Sequence, residues 1–259
     1  MKCITWNVNS VKARKDHLLK YLEQEKPDIA FLQELKTDGE HYPESDVQAL
    51  GYSSVINGQK GYAGVATLVR EGLDYEVHAT ELLEEGDQAR MIDIEVDGVR
   101  LINIYAPNGN PIGSEKFDYK MKWYKALEAR LYDLLGRDVP VMIGGDFNII
   151  PEHEDCYDSQ AWTEDALFID VVRNIYKRLI YKGFYDAFRV RDKRAGQYSF
   201  WDYQAGAWPQ NKGIRIDHFL LSPELVDRLH SCKIDANPRG WEKPSDHTPV
   251  IIELADEKG

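Results

Sequence analysis

The sequence predicts a layered α/β fold, and three stretches carry that prediction. Lys2 to Trp6, Val11 to Glu25 and Asp28 to Leu32 read as strand, helix and strand, with Leu18, Leu19 and Leu22 at helical spacing. From Tyr52 to Ala106 the pattern becomes a β-meander. Val139 to Ile143 is a short apolar run broken only by Pro140, the mark of a strand buried on both faces.

The meander divides into Tyr52 to Ile56, Gly64 to Val69, Tyr75 to His78, Arg90 to Val96 and Arg100 to Tyr105. Asp97-Gly98, between the last two, is a strong hairpin signal, because a tight hairpin turn needs positive φ. Ser114 is placed to N-cap a helix running to Leu135, with Glu115 in its first turn and Gly136 at its end. Its aromatic and Leu positions suit a core face. After a polar stretch from Pro151 to Ser159, helices are predicted over about Glu164 to Asn174 and Ile175 to Lys182. An aromatic loop, Tyr198 to Tyr203, then precedes strands at Ile214 to Leu221 and Val250 to Leu254. No linker, low-complexity segment or short repeat interrupts 1–259, which therefore read as one domain. Trp6-Asn7 and Phe147-Asn148 end buried strands in similar chemistry, a faint sign of duplication.

The chain has 259 residues, 43% hydrophobic and 29% charged, the make-up of a soluble globular protein. No apolar run is long enough to span a bilayer, and the N-terminus lacks a signal-peptide core. The three cysteines, Cys3, Cys156 and Cys232, fit neither a disulfide framework nor a zinc site, so a reducing cytoplasm is expected. A formal charge of −12 argues against nonspecific adhesion to nucleic acid. It leaves room for a polyanionic substrate if basic groups gather on one face. Lys12 to Lys15, the Lys116/Lys120/Lys122/Lys125 set and Arg189 to Arg194 are such clusters, although each also suits a solvated face.

Chemistry gathers where strands end. Gly144-Gly145-Asp146-Phe147-Asn148 follows the buried run, the glycines allowing a bend or a close approach. If the extended conformation continues, Asp146 and Asn148 point the same way. Taken alone this is equally an ordinary turn. But Asn7, Glu34, Tyr105, Asp217 and Asp246-His247 also lie at strand ends, a recurrence that turn propensity does not explain. In layered α/β folds ligands bind at that edge. Acids able to hold Mg²⁺, with a His backed by carboxylates, are what phosphodiester hydrolysis requires: charge neutralisation and a positioned water. A neighbouring carboxylate favours the imidazolium form, the useful one beside a phosphate. No Walker-type loop, His-Glu-x-x-His or nucleophile elbow is present.

Ile4-Thr5-Trp6-Asn7-Val8-Asn9-Ser10, Leu32 to Lys36, Tyr105 to Gly109, Lys116-Phe117-x-Tyr119-Lys120, Gly145 to Asn148, Gly213 to Asp217 and Ser245-Asp246-His247 occur in one order over essentially the whole chain. In that order they resemble the exonuclease III (bacterial exodeoxyribonuclease III) branch of the abasic-site endonucleases, within the endonuclease/exonuclease/phosphatase superfamily. The Asp-Phe-Asn and Ser-Asp-His pieces are common to the superfamily, whereas Lys-Phe-x-Tyr-Lys and the Phe200 to Asp217 block are specific to the branch.

The resemblance implies a four-layer α/β sandwich of the DNase I-like kind, two packed mixed β-sheets flanked by helices. It implies Mg²⁺, with Mn²⁺ able to substitute, held by a set drawn from Asn7, Glu34, Asp146, Asn148, Asp246 and His247. Glu34 would be the main ligand. Asp146 would orient and deprotonate the attacking water, and Asn148 would hold that water or the phosphate. His247, oriented by Asp217, would stabilise the phosphate, with Tyr105 and Asn108 supporting it or the leaving oxygen. Phe200, Trp201 and Ile214 would wall a pocket for a flipped-out abasic sugar. Lys36, Arg90, Lys116 and Lys120 would contact the DNA backbone, since local charge acts within about 10 Å. At Ala63 the branch usually has Asn, so one DNA contact is expected to be missing. The implied protein is a bacterial, cytoplasmic monomer working on double-stranded DNA with abasic sites or 3′ ends, without a membrane. Competing readings are a same-fold phosphohydrolase acting on a phospholipid, inositol phosphate or nucleotide, and a non-catalytic nucleic-acid-binding homologue.

Overall fold

The computed structural model describes residues 1–256. In chain order the strands are β1 (Lys2–Asn7), β2 (Ile29–Gln33), β3 (Tyr52–Asn57), β4 (Val65–Arg70), β5 (Tyr75–Ala79), β6 (Met91–Val96), β7 (Val99–Tyr105), β8 (Val141–Asp146), β9 (Tyr185–Asp186), β10 (Asp217–Leu221), β11 (Leu229–Ile234) and β12 (Val250–Leu254). They form two six-stranded mixed sheets, ordered β11-β12-β1-β2-β4-β3 and β5-β6-β7-β8-β10-β9.

Successive side chains on a strand face opposite ways, and here the two faces meet different apolar surroundings. Cys3, Phe31, Leu101, Met142 and Phe219 pack between the sheets. Their neighbours Ile102, Ile143 and Leu220 face outward under helices α3 (Glu115–Gly136) and α4 (Asp170–Lys182). Ile4, Ala30 and Leu32 face outward under α1 (Lys15–Glu25), whose Leu18, Tyr21 and Leu22 cover them. Two helical layers therefore enclose two sheets, the expected four-layer sandwich. Short α-helices lie at Glu44–Ala49, Ala187–Arg191 and Pro223–Val226, and 3-10 turns at His153–Asp155, Ser159–Trp162 and Asn237–Gly240. Among the described residues no helix is long and apolar enough to cross a membrane.

Each sheet is centred on one parallel pair, β1 with β2 and β7 with β8, flanked by antiparallel neighbours. The strands that carry the hinted likeness, β1 before Asn7 and β8 before Phe147-Asn148, each lie between one parallel and one antiparallel neighbour. A buried polar contact crosses the interior, where Gln33 Nε2 donates to Thr5 Oγ1 and to Asn103 Oδ1 of the other sheet, at 2.9 and 2.8 Å. Because the alternative is a desolvated orphan amide, such a contact fixes how the sheets register.

Several elements differ from expectation. Helix α1 begins at Lys15, not Val11, because Val8, Ser10 and Val11 donate their N–H groups to Gln33, Glu34 and Leu35, running beside the loop after β2. The two predicted helices after Ser159 are one, α4, which begins at Asp170 and not Glu164 and runs on because no Pro or Gly interrupts 170–182. Strand β10 starts at Asp217, while Ile214 makes only isolated bridges to Cys156 and Phe200. The Asp97-Gly98 hairpin forms with φ of 50° and 75°, and Ser114 caps α3, accepting from Phe117 N.

Candidate active site

The run at β8 is not broken by its glycines; they thin it. A β-carbon at Gly145 would lie 1.9 Å from Ile104 O, and one at Gly144 would meet the Phe219 ring at 2.4 Å. Only glycine lets β7 and Phe219 come that close, which delivers Asp146 to the strand's end. The extended backbone stops there. Asn148 has φ of 47° and donates its N–H to Asp146 Oδ1 at 2.9 Å, so the two side chains meet through a turn and not through strand alternation.

The parallel pairs point one way, bringing Asn7 (β1), Tyr105 (β7), Asp146 (β8) and, just after β2, Glu34 to one edge. Strands β10 and β12 run opposite, so Asp217 at the start of β10, and Asp246 and His247 just before β12, reach the same edge from the other direction. Asp217 pairs in register with Asp146. One atom each of Glu34, Asp146 and His247 lie within 4.8 Å of one another. Glu34, Tyr105, Asn108, Asp146, Asn148, Asp246 and His247 line one cavity of about 220 Å³.

Asn7 Nδ2 bridges the two acids, donating to Glu34 Oε1 at 2.8 Å and Asp146 Oδ2 at 3.0 Å, while its Oδ1 accepts from Asn9 N. It holds the acids side by side. Burial pushes the Asp146 carboxyl up to about 7, against the pull of the nearby His247 cation. Burial also works against a charged His247, but Asp217 and Asp146 outweigh it and raise the ring to about 10. For Glu34 the Asn7 amide and the Lys36 cation overcome burial and hold the carboxyl below its ordinary value. Burial, with Glu34 and Asp146 adding to it, keeps the Tyr105 phenol protonated as a donor.

Two carboxylates around an amide bridge, Glu34 and Asp146, with Asp246 lining the same cavity, make a hard, negative donor set. Such a set fits a hard divalent cation.

The likeness to known proteins extends over nearly the whole chain. Residues 4–247 match the family described as the endonuclease/exonuclease/phosphatase family. The chain belongs to that family. An exodeoxyribonuclease of Bacillus subtilis is 35% identical to this family member over 97% of this chain and 98% of its own. Among solved structures, the 3′-5′ exonuclease NExo from Neisseria meningitidis superposes with a TM-score of 0.93 at 37% identity, covering 99% of this chain and all of its own. A Neisseria NExo described as a 3′ phosphatase, bound to a product DNA hairpin, gives 0.92 at 36% over the same coverage. An AP endonuclease from Archaeoglobus fulgidus gives 0.91 at 33%, covering 98% and 99%.

Within this endonuclease/exonuclease/phosphatase family site, several expected contacts fall elsewhere. Lys120 is fully buried and donates to the backbone oxygens of Asn108, Asn148 and Ala166, so no DNA phosphate can reach it. Trp201 turns from the cavity, packs on Trp208 and donates Nε1 to Asn211 Oδ1 at 3.1 Å. Phe200 and Ile214 do line the cavity, and the wall is completed by Trp162, Leu167 and Ile216, which the sequence did not single out. Lys36 reaches inward, 3.0 Å from Glu34 Oε2. Arg90 lies over the Tyr105 ring and, with Lys116 and Asn108, borders a second cavity of about 590 Å³ adjoining the first. Ala63 is buried with φ of 57°, and its carbonyl accepts from Lys36 N, so this position shapes the Glu34 loop through its backbone.

Ser199 of the aromatic loop and Ser245 of the Ser-Asp-His motif prove to be supports. Ser199 Oγ donates to Asp217 Oδ2 at 2.7 Å, and Ser245 Oγ accepts from His247 N at 3.2 Å while donating to Asn7 O. The small polar residue beside each functional one is the sequence signal that could have found them.

Proposed function

We propose that this chain is a Mg²⁺-dependent DNA-repair phosphodiesterase. It incises beside abasic sites, trims 3′ ends of duplex DNA and removes 3′-blocking phosphates. The observation that carries the reading is the convergence of Glu34, Asp146 and His247 within 4.8 Å, from three distant parts of the sequence. Relatives named as exodeoxyribonuclease, 3′ phosphatase and AP endonuclease support DNA as substrate.

The residues divide the work by charge state. Asp146 is the acid poised to accept a proton near neutrality and so to orient and deprotonate an attacking water. His247, held cationic, offsets the negative charge that grows on the phosphate. Tyr105 donates an O–H, and the Asn108 and Asn148 carboxamides, 3.4 Å apart, frame the same position. Glu34 is the main candidate to hold Mg²⁺, with Asp146 and, across the cavity, Asp246 beside it; when bound, the ion supplies charge neutralisation and activates water. Mn²⁺ meets the same oxygen donors.

Phe200, Ile214, Ile216, Trp162 and Leu167 form an apolar wall beside these groups, suited to an abasic sugar. Completeness of the site within one chain supports action as a monomer, and one interior shared by both sheets supports a single domain over 1–259. Three buried, free cysteines are in keeping with a reducing cytoplasm. The test is a nicking assay on duplexes carrying an abasic site, a 3′-phosphate or a recessed end, with and without EDTA, beside a lipid phosphodiester. EDTA-sensitive DNA cleavage with no lipid cleavage is expected; the reverse selectivity defeats the reading.

A further inference from the structure

We infer that Lys120 is a positioning residue of this site, a clamp that sets the loops bearing Asn108, Asn148 and Leu167 against one another. An ammonium group has three N–H donors. Lys120 uses them on three carbonyls, Asn108 O at 3.0 Å, Asn148 O at 2.8 Å and Ala166 O at 2.8 Å. Those carbonyls belong to the loops after β7 and β8 and to the segment before α4, far apart in sequence. The segments also bond pairwise, Asn148 Nδ2 to Ala106 O, Ala166 N to Asn110 Oδ1 and Ile150 N to Leu167 O, but Lys120 gathers all three at one nitrogen. Two of the loops carry the paired carboxamides, and the third leads into the cavity wall at Leu167.

Burying a cation is costly unless its hydrogen bonds are met, and an apolar residue would fill the same space more simply. What the lysine adds is direction, because three carbonyls must aim at one nitrogen. The fit is close: a β-carbon at Gly109 would lie 2.5 Å from Lys120 Cδ, so the Asn108 loop closes directly onto the lysine stem.

The inference rests on the phosphodiesterase reading for its kinetic consequence only. In Lys120→Met, hydrogen exchange at the amides of residues 107–110 and 147–149 is expected to speed up about tenfold or more, with β7 and β8 unchanged. Turnover on DNA falls on the order of 10²-fold, the scale of a displacement near 1 Å at reacting groups. KM and the salt dependence of DNA binding stay as in the parent, since no phosphate contact is lost.

A salt slope lower by about one with raised KM would make Lys120 a phosphate contact and overturn the inference. Unchanged exchange in those loops, or unchanged turnover with only a lower melting temperature, overturns it as well. If the parent cuts no DNA, the exchange measurement still decides. Should the methionine variant not fold, Lys120→Gln, which keeps two N–H donors at the same place, is held to the same outcomes.

Discussion

His247 Nδ1 lies 2.8 Å from Asp217 Oδ2, and the bond joins the two sheets across the site. Asp217 opens β10 in one sheet, and His247 precedes β12 in the other. Ser199 holds the same Asp217 oxygen from behind, and Ser245 holds the His247 backbone. The ring is thereby fixed in orientation and kept charged.

Asp217→Asn keeps the shape and removes the charge. Turnover is expected to fall by a factor on the order of 10²–10⁴. Because Asp217 raises the His247 pKa, its removal lowers that pKa, so the alkaline fall in activity moves to lower pH. A pH–rate profile of the folded variant checks both parts. Near-parental turnover removes Asp217 from the mechanism.

Chelation should abolish cleavage, and Mg²⁺ should restore it. The amide bridge of Asn7 makes a sharper expectation, because it orients Glu34 and Asp146 together. Asn7→Ala should weaken metal binding about 10–100-fold, the usual effect of losing a partner that orients ligands. Half-saturation in a Mg²⁺ titration measures it, and calorimetry with Mn²⁺ measures it without turnover. An unchanged midpoint would mean that the acids hold their places unaided.

What could be read from residues alone depended on whether the governing interaction was local. Strand periods and the Asp97-Gly98 turn are local, and they emerged within a residue or two except at the end of β8 and the start of β10, each three residues off. The motif order identified Glu34, Asp146 and His247, which the fold then brings together. Lys120 and Trp201 show the limit. Both sit in the motif stretches, yet one is enclosed by three carbonyls from separate loops and the other is turned onto Trp208 by the way its own irregular loop folds, which no strand or helix period announces. Trp162 failed in the opposite sense, since a lone Trp in a polar stretch carries no signal until the chain folds it against Phe200 and Ile214. Edge strand β11 was missed for a physical reason too: two of its residues, His230 and Lys233, are exposed, which blurs its apolar pattern.

The pocket wall separates two aromatic neighbours. Phe200→Ala opens the cavity and should change the ratio of abasic incision to 3′ trimming, with little loss of stability because the ring is only partly buried. Trp201→Ala should cost about 3–5 kcal/mol of stability, the range for removing a buried aromatic, and leave that ratio intact in the folded fraction. Side-by-side rates on abasic and recessed-end duplexes, with urea melts, test both. The opposite pattern would return Trp201 to the pocket.

Behind the wall, Arg215 is buried between Asp155 and Asp186, donating to Asp186 Oδ2 at 2.9 Å and to Asp155 Oδ1 at 2.7 Å. Burial alone would raise the Asp186 carboxyl, but Arg215 and His218 overcome it and hold the group down at about 2 against 3.8. A carboxyl depressed in the folded state adds stability that is complete above its unfolded pKa and fades as pH falls through the folded one. Here that contribution is about 2 kcal/mol, present above roughly pH 4 and lost toward pH 2. Asp186→Asn should therefore be less stable at neutral pH and show a shallower loss of stability over that window. Arg215→Met, which strands two buried carboxylates, should cost about 3–5 kcal/mol at neutral pH and recover part of it on acidification, as the acids take up protons. Urea unfolding across the window measures the slopes. If both variants track the parent slope, the Asp186 pKa does not change on folding, and Arg215 does not hold it down.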